Sequence, residues 1–175
     1  MNPEIVAADA FAAWAPDGAA PLSWTRATQL DQPAFVLDVD APYSAVLVTQ
    51  SDSWELMLVT ARGSARPFLG PIDDDPAVVF DSLLYALYAR AQHELEYRVR
   101  TASVTLARVL GTLAASANDA RYGGRAALLL GLHAVKDERR SDAADKLAQA
   151  ITLFEAARDV TAADTAREAL QLLRA

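Results

Sequence analysis

Two histidines are the residues of this chain best suited to hold a metal ion. His93 lies three residues before Glu96, and His133 lies four residues before Asp137, so each histidine shares a helix face with a carboxylate. Helical bundles build divalent-metal sites from such pairs, but they bring carboxylates from several helices into one core. The acidic residues near His93 are instead spaced to pair with arginines on a helix surface. We therefore expect no metal and no cofactor, and keep a metal-binding helical-bundle enzyme that uses His93 and His133 as an alternative.

The other candidate for chemistry is the aspartate pair Asp38 and Asp40, which closes an apolar run. Phosphotransferases place carboxylates at strand ends to hold Mg²⁺. Here, however, Pro42 stands where a threonine would be expected, and no β–α repeat with a basic partner follows. The sequence also contains no phosphate loop, no dinucleotide-binding fingerprint, no Gly-x-Ser-x-Gly elbow and no cysteine. No catalytic residue is predicted, and we do not expect an enzyme.

The charge is unevenly distributed along the 175 residues, whose formal net charge is −7. Residues 1–75 hold 11 acidic residues against three arginines, whereas residues 76–175 hold 12 acidic residues against 13 basic ones. Nucleic acid is bound by basic surfaces that neutralise phosphates, so this balance disfavours it as a partner. A nucleic-acid-associated protein remains an alternative because of one arginine cluster: Arg90, Arg98, Arg100 and Arg108.

The sequence also bears on where the protein resides. Its longest apolar run, from Ala126 to Val135, is well short of the roughly 18 residues of a membrane-spanning helix. The segment before Trp14 contains Glu4 and Asp9 but no lysine or arginine, whereas a secretory signal begins with positive charge. These features predict a cytoplasmic protein.

The first domain, residues 1–75, is predicted to contain one helix and a sheet. Asn2 and Pro3 are suited to begin a helix, which extends to about Trp14. Four runs rich in β-forming residues follow: Ser23–Leu30, Ala34–Asp40, Ser44–Gln50 and Trp54–Arg62. Their short connections favour an antiparallel meander of four strands.

The remainder, residues 76–175, is predicted to be helical. Apolar residues recur every three or four positions from Phe80 to Leu113, which predicts a long helix over 76–117, either continuous or as two helices joined end to end. Three shorter helices follow: 125–136, 141–157 and 161–174. The predicted fold class is therefore α+β, with an N-terminal helix and a four-stranded antiparallel sheet followed by a long helix and a C-terminal helical stack.

The starts of the last two helices are predicted from capping residues. Ser141 and Thr161 stand at the N-cap positions, where a hydroxyl accepts a hydrogen bond from a free backbone N–H. Asp164 follows Thr161 by three residues, which is the spacing of a capping box.

The helical half contains a set of large and small residues at fixed spacings: Leu130-Gly131, then Ala143, Leu147 and Ala150. This pattern resembles one tetratricopeptide repeat, a helix–turn–helix unit of roughly 34 residues that here covers 124–157. Glu138 departs from the pattern because it occupies the turn position that usually holds glycine. The resemblance implies a protein-binding stack whose ligand-facing positions share one helix face: Arg125, Leu128, Leu132 and Val135.

Two tyrosines are further candidates for contact with a partner. Tyr85 and Tyr88 lie beside the apolar seam rather than on it, and aromatic rings bury a large area at little entropic cost. Together with the resemblance, they predict a protein-interaction module, an adaptor or small chaperone-like protein, whose partner is another protein. The order of leading helix, sheet and long helix also resembles type III secretion chaperone-like proteins, which stay as an alternative.

The long helix also predicts self-association. A continuous helix carrying the seam from Phe80 to Leu113 would extend roughly 50 Å. A strand of eight residues is only about 27 Å long, so the predicted sheet could not cover the whole seam. A second copy of the chain, forming a homodimer, would cover the rest.

Overall fold

The computed structural model describes the backbone of five strands between residues 25 and 67 and the helices over 76–96 and 100–174. In the helices it also describes the side chains, apart from those of residues 76, 79, 100 and 101. The strands are β1 (Thr25–Gln29), β2 (Gln32–Asp40), β3 (Tyr43–Gln50), β4 (Ser53–Thr60) and β5 (Ala65–Pro67). They pair antiparallel in chain order, with an irregularity between Asp38 and Asp40. The predicted N-terminal helix lies outside the described residues.

The predicted α+β fold class is wrong. The part of the chain whose side-chain packing is described, 76–96 and 100–174, is a stack of helices that contains no strand. The sheet ahead of it has five strands rather than four, since β5 pairs with β4. A three-residue strand is too short to show an alternating pattern, so the segment around Gly63 and Pro67 resembled a loop. The described packing defines a helical bundle.

Five helices make up this bundle: α1 (Pro76–Glu96), α2 (Arg100–Ser116), α3 (Ala120–Lys136), α4 (Arg140–Ala156) and α5 (Val160–Arg174). From α2 onward a new helix begins every 20 residues, and three residues connect each helix to the next. None of the described helices combines the length and the apolar character needed to cross a membrane. The chain divides into two compact units, residues 1–86 and 87–175, so the first part of α1 belongs to the first unit and the rest of the helices to the second.

The same turn ends α2, α3 and α4. One residue in each turn has a left-handed backbone: Asn118 with φ of 53°, Glu138 with 59° and Arg158 with 58°. The N–H of the next residue then bonds the carbonyl five residues back: Asp119 to Ala114, Arg139 to Ala134 and Asp159 to Phe154. This Schellman arrangement satisfies the last carbonyls of a helix. The repeating unit is therefore a helix and turn of 20 residues, and a pair of helices spans 40.

The predicted long helix over 76–117 is wrong because α1 and α2 lie side by side. Ser103 donates a hydrogen bond from Oγ to the carbonyl oxygen of Ala91, at 2.7 Å. In one continuous helix, residues 12 positions apart would be roughly 18 Å apart along the axis. The chain must therefore reverse between α1 and α2. A pattern of apolar residues cannot reveal such a reversal when both helices bury the same kind of face.

The apolar seam that predicted a homodimer is buried within the chain. Its described members are at most 4% exposed, apart from the partly buried Leu95 and Ala102: Phe80, Leu84, Leu87, Ala91, Leu106, Val109 and Leu113. The argument for a second copy depended on a continuous helix with a seam left uncovered. That argument is removed, and a homodimer stays an untested prediction.

Two glycines of α3 lie where α3 packs most closely against α4. A Cβ at Gly124 would lie 2.7 Å from ring atoms of Phe154, and one at Gly131 would lie 3.0 Å from Cγ of Leu147. Both pairs sit seven residues apart on each helix, so the same contact recurs after two turns of an antiparallel pair. Phe154 and Leu147 are fully buried as a result. The glycines allow the two helix backbones to approach closely.

The predicted N-caps are wrong by two residues. Ser141 and Thr161 are each the second residue of their helix. The N-cap of α4 is Arg139, whose side chain makes no capping hydrogen bond. At α5, Asp159 accepts from the N–H of Ala162 at 3.1 Å, while Asp164 pairs with Arg167 instead of reaching back. Hydroxyl residues in the first turn resembled caps because both positions favour the same short polar side chains.

Candidate functional site

An arginine on α3 lies close to two tyrosine rings. The guanidinium carbon of Arg125 lies 4.8 Å from the ring centre of Tyr88 on α1 and 5.0 Å from that of Tyr122 on α3. A guanidinium within about 6 Å of an aromatic face is attracted by the ring quadrupole. Tyr122 is buried, and Arg125 and Tyr88 are partly exposed. The two rings thus attract one cation at a partly exposed position.

The neighbouring Arg121 is balanced by an acidic residue, whereas Arg125 has no such partner among the described residues. Arg121 lies over the Tyr122 ring at 4.5 Å and faces Asp119 with a nitrogen-to-oxygen distance of 4.0 Å. Asp119 also caps α3, since its Oδ1 accepts from the N–H of Tyr122 at 3.0 Å. No carboxylate in the part of the chain that the structure describes pairs with Arg125. Arg125 is partly exposed, so its guanidinium is accessible to an anion from solvent or from a partner.

Helices α1, α3 and α5 form one layer of the stack. Tyr88 contacts Arg125, and seven residues further along α1 the carbonyl of Leu95 accepts from Nζ of Lys136 at 3.4 Å. The two helices therefore run in the same direction. On the other side, Leu128 of α3 packs against a buried cluster built by α3, α4 and α5: Ala127, Ala150, Phe154, Ala163 and Ala166. Helix α3 thus touches the helix two positions before it and the helix two positions after it.

The residues predicted to face a partner occupy several environments. Leu128 and Leu132 are partly buried, Val135 is 38% exposed, and Tyr85 on α1 is 58% exposed. Arg125 and Tyr88, which were proposed on separate grounds, meet in the stack described above. Leu128 is drawn into the cluster with α4 and α5. We call the outward side of α1 and α3 that carries Tyr88, Arg125, Leu132 and Val135 the α1/α3 face.

Tyr122 and Arg121 complete the site and were missed from the sequence. Both fall in 118–124, which resembled a break between helices because Asn118, Gly123 and Gly124 favour turns. Helix α3 in fact begins at Ala120. Asp119 itself was a usable signal in the sequence, because aspartate is a preferred N-cap residue and would place the start of a helix at Ala120.

A buried serine–histidine pair lies elsewhere in the bundle. Nε2 of His133 is 2.8 Å from Oγ of Ser103, and the two residues are 2% and 0% exposed. Because the Ser103 hydroxyl donates to the carbonyl of Ala91, its oxygen accepts the proton of Nε2. A nucleophilic serine would instead give its proton to the histidine and face a substrate. This pair joins α1, α2 and α3 and is structural.

The two histidines predicted as an alternative metal site differ in their exposure to solvent. His93 is exposed on α1, whereas His133 is buried against Ser103. No group of three or more metal-ligating side chains occurs among the described residues. Of the arginine cluster, Arg90 pairs with Glu94 and Arg108 is exposed, while the side chains of Arg98 and Arg100 lie outside the description.

No protein-family model matches this chain, and comparison with curated proteins and with solved structures finds no match. The class of protein that the structure itself defines is a stack of five helices in which each helix packs on its neighbours, as in a helical repeat.

Proposed function

We propose that the helical stack is a protein-interaction module that binds its partner on the α1/α3 face. The observation that carries the proposal is the position of Arg125 beside the rings of Tyr88 and Tyr122. Aromatic and arginine side chains dominate the binding energy of protein interfaces. Here they are already held in place, so little conformational entropy is lost when a partner binds.

The rest of the face supports the same proposal. Leu132 and Val135 continue from Arg125 along α3 at helical spacing and are partly exposed. A surface with an ordered cation beside apolar side chains fits the anatomy of an interface, in which apolar contacts are surrounded by polar ones. Stacked helices expose such faces in a row, which is how repeat proteins present extended binding surfaces.

A tetratricopeptide-like module is the form of this proposal that the sequence resemblance favours. The contact between Gly131 and Leu147 is the close approach that the matched positions imply, and Glu138 adopts the left-handed backbone of the glycine it replaces. The 40-residue helix pair is longer than the 34-residue unit of that family. The proposal therefore rests on the stacked arrangement and on these contacts rather than on the repeat length.

Affinity capture with paired variants tests the proposal. The tagged full-length chain is used to capture proteins from source cells, beside Val135→Glu and the matched Ala148→Glu. Val135 lies on the α1/α3 face, whereas Ala148 is exposed on α4, so both variants add one carboxylate at an exposed site. We expect one dominant partner that wild type and Ala148→Glu retain and Val135→Glu loses. Equal capture by the two variants, or no partner at all, would contradict the proposal.

A further inference from the structure

Among the described residues, no anion balances the charge of Arg125 on the α1/α3 face. Helix α3 carries Arg121, Arg125 and Lys136 but contains no acidic residue between Ala120 and Lys136. Asp119 pairs with Arg121, and the Lys136 ammonium donates to a backbone carbonyl. Arg125 has aromatic neighbours but no carboxylate within the described residues. A partner with negative charge would complete the site.

The geometry points to a carboxylate as that charge. A guanidinium offers a planar fork of N–H donors that fits two carboxylate oxygens, and such pairs are stronger than neutral hydrogen bonds. Because the rings of Tyr88 and Tyr122 hold the guanidinium carbon at 4.8 and 5.0 Å, the fork is oriented before the partner arrives.

The distance from Arg125 to the apolar residues of the face determines where a bound peptide would make its second contact. Arg125 and Leu132 are seven residues apart on α3, which is roughly 10 Å along the helix axis. A peptide in the extended polyproline II conformation advances about 3.1 Å per residue with three residues per turn, so side chains three positions apart lie on the same side and about 9 Å apart. Val135 lies one turn further along and would contact a second apolar side chain.

We propose that the α1/α3 face binds an extended peptide segment in which an aspartate or glutamate side chain pairs with Arg125 and an apolar residue about three positions away contacts Leu132. This inference rests on the proposed function, since it specifies the chemistry of the partner at the same face. Tyr88 is a positioning residue that acts by orienting Arg125.

Selection from a random peptide library displayed on phage tests the inference with the full-length chain. We expect recovered sequences to share an acidic residue and an apolar residue about three positions apart. The best sequence is then synthesised with an amidated C-terminus, so that only side-chain carboxylates remain. Replacing its acidic residue by the matching amide should weaken binding roughly 10- to 100-fold, as loss of a charged hydrogen-bonded pair does.

Variants of the chain separate the roles of charge and ring. Arg125→Gln should weaken binding of the acidic peptide to the same extent and leave the affinity of its amide version unchanged. Tyr88→Phe keeps the ring and should bind like wild type, whereas Tyr88→Leu should lose several-fold. Binding by peptides without an acidic residue would overturn this inference and leave the proposed function standing. Recovery of no binding sequence would overturn the inference, whereas the proposed function would still be decided by capture of its partner.

Discussion

Nε2 of His133 lies 2.8 Å from Oγ of Ser103, although 30 residues separate them in the chain. The Ser103 hydroxyl continues the chain of hydrogen bonds to the carbonyl of Ala91, so one polar link passes through three helices. Polar groups in a low-dielectric interior stabilise a structure when each has its partner and cost free energy when one is removed. The link therefore fixes how α1, α2 and α3 pack.

Ser103→Ala should destabilise the protein measurably. The substitution leaves the Nε2–H of His133 and the carbonyl of Ala91 buried without their partner, which costs about 1–3 kcal/mol of unfolding free energy. Ser116→Ala is the matched control on the same helix, since its Oγ bonds the carbonyl of Thr112 at an exposed site. Urea denaturation compares them. Equal midpoints for the two variants would show that the buried link contributes nothing.

Gly124 on α3 should tolerate alanine less well than Gly111 on α2. Gly124→Ala places a Cβ against the buried ring of Phe154, so Phe154 or the helix must shift. We expect a loss of about 1–3 kcal/mol, which exceeds the gain of about 1 kcal/mol in helix propensity. Gly111→Ala is the control, because its Cβ would lie at an ordinary 3.4 Å from Ala126.

Thermal unfolding should therefore give opposite signs for these two variants. Gly111→Ala should be neutral or stabilising by up to about 1 kcal/mol, since propensity alone acts there. Combining Gly124→Ala with Phe154→Leu should recover part of the loss, because the shorter side chain makes room. A stabilising effect of Gly124→Ala would mean that α3 and α4 lie farther apart than described.

Replacing a turn residue that has a left-handed backbone by glycine should increase the stability of the protein. Glu138 and Arg158 pay the steric cost of a positive φ, which is about 1 kcal/mol or more for a residue with a Cβ. Glu138→Gly and Arg158→Gly should therefore stabilise the protein by about 1 kcal/mol. Asn118→Gly should gain less, because asparagine tolerates this backbone. The control is Gln149→Gly inside α4, which should lower the free energy of unfolding by about 1 kcal/mol. Differential scanning calorimetry measures whether each variant is more or less stable than wild type.

A better N-cap residue at the start of α4 should also stabilise the protein. Asp119 and Asp159 accept backbone hydrogen bonds at the starts of α3 and α5, but Arg139 makes none at the start of α4. Arg139→Asn should stabilise the protein by about 1 kcal/mol, whereas Asp159→Ala should cost about the same. A loss of stability in Arg139→Asn would indicate that its exposed ion pairs with Asp137 and Asp142 matter more than the cap.

The sequence predicted the last two helices closely but misplaced the ones before them. It placed helices at 141–157 and 161–174, and the structure has them at Arg140–Ala156 and Val160–Arg174. The start of α3 was placed at 125 instead of Ala120 because Gly123 and Gly124 were taken as a turn. Only the packed structure shows why a glycine stands at 124: the ring of Phe154 occupies the space of its missing side chain.

The candidate site was predicted only in part, for a related reason. Arg125 was selected from the resemblance and Tyr88 from its place beside the seam, and neither argument could bring the two together. Their contact depends on the reversal between α1 and α2, which places α1 next to α3. Long-range pairing of this kind leaves no trace in the spacing of one helix. The pattern of apolar residues also does not reveal that the helices repeat every 20 residues. That period is visible in the turns, where Asn118, Glu138 and Arg158 have a left-handed backbone.

Site-specific photo-crosslinking tests the claim that the α1/α3 face binds a protein most directly. A benzophenone-bearing residue is placed at Val135 in one variant of the full-length chain and at Ala148 on α4 in another, and each is irradiated in source cells. The account predicts an adduct with a second protein from Val135 and none from Ala148, and the adduct should diminish when the acidic peptide is added to a lysate before irradiation. Equal adducts from both positions, or adducts from Ala148 alone, would contradict it.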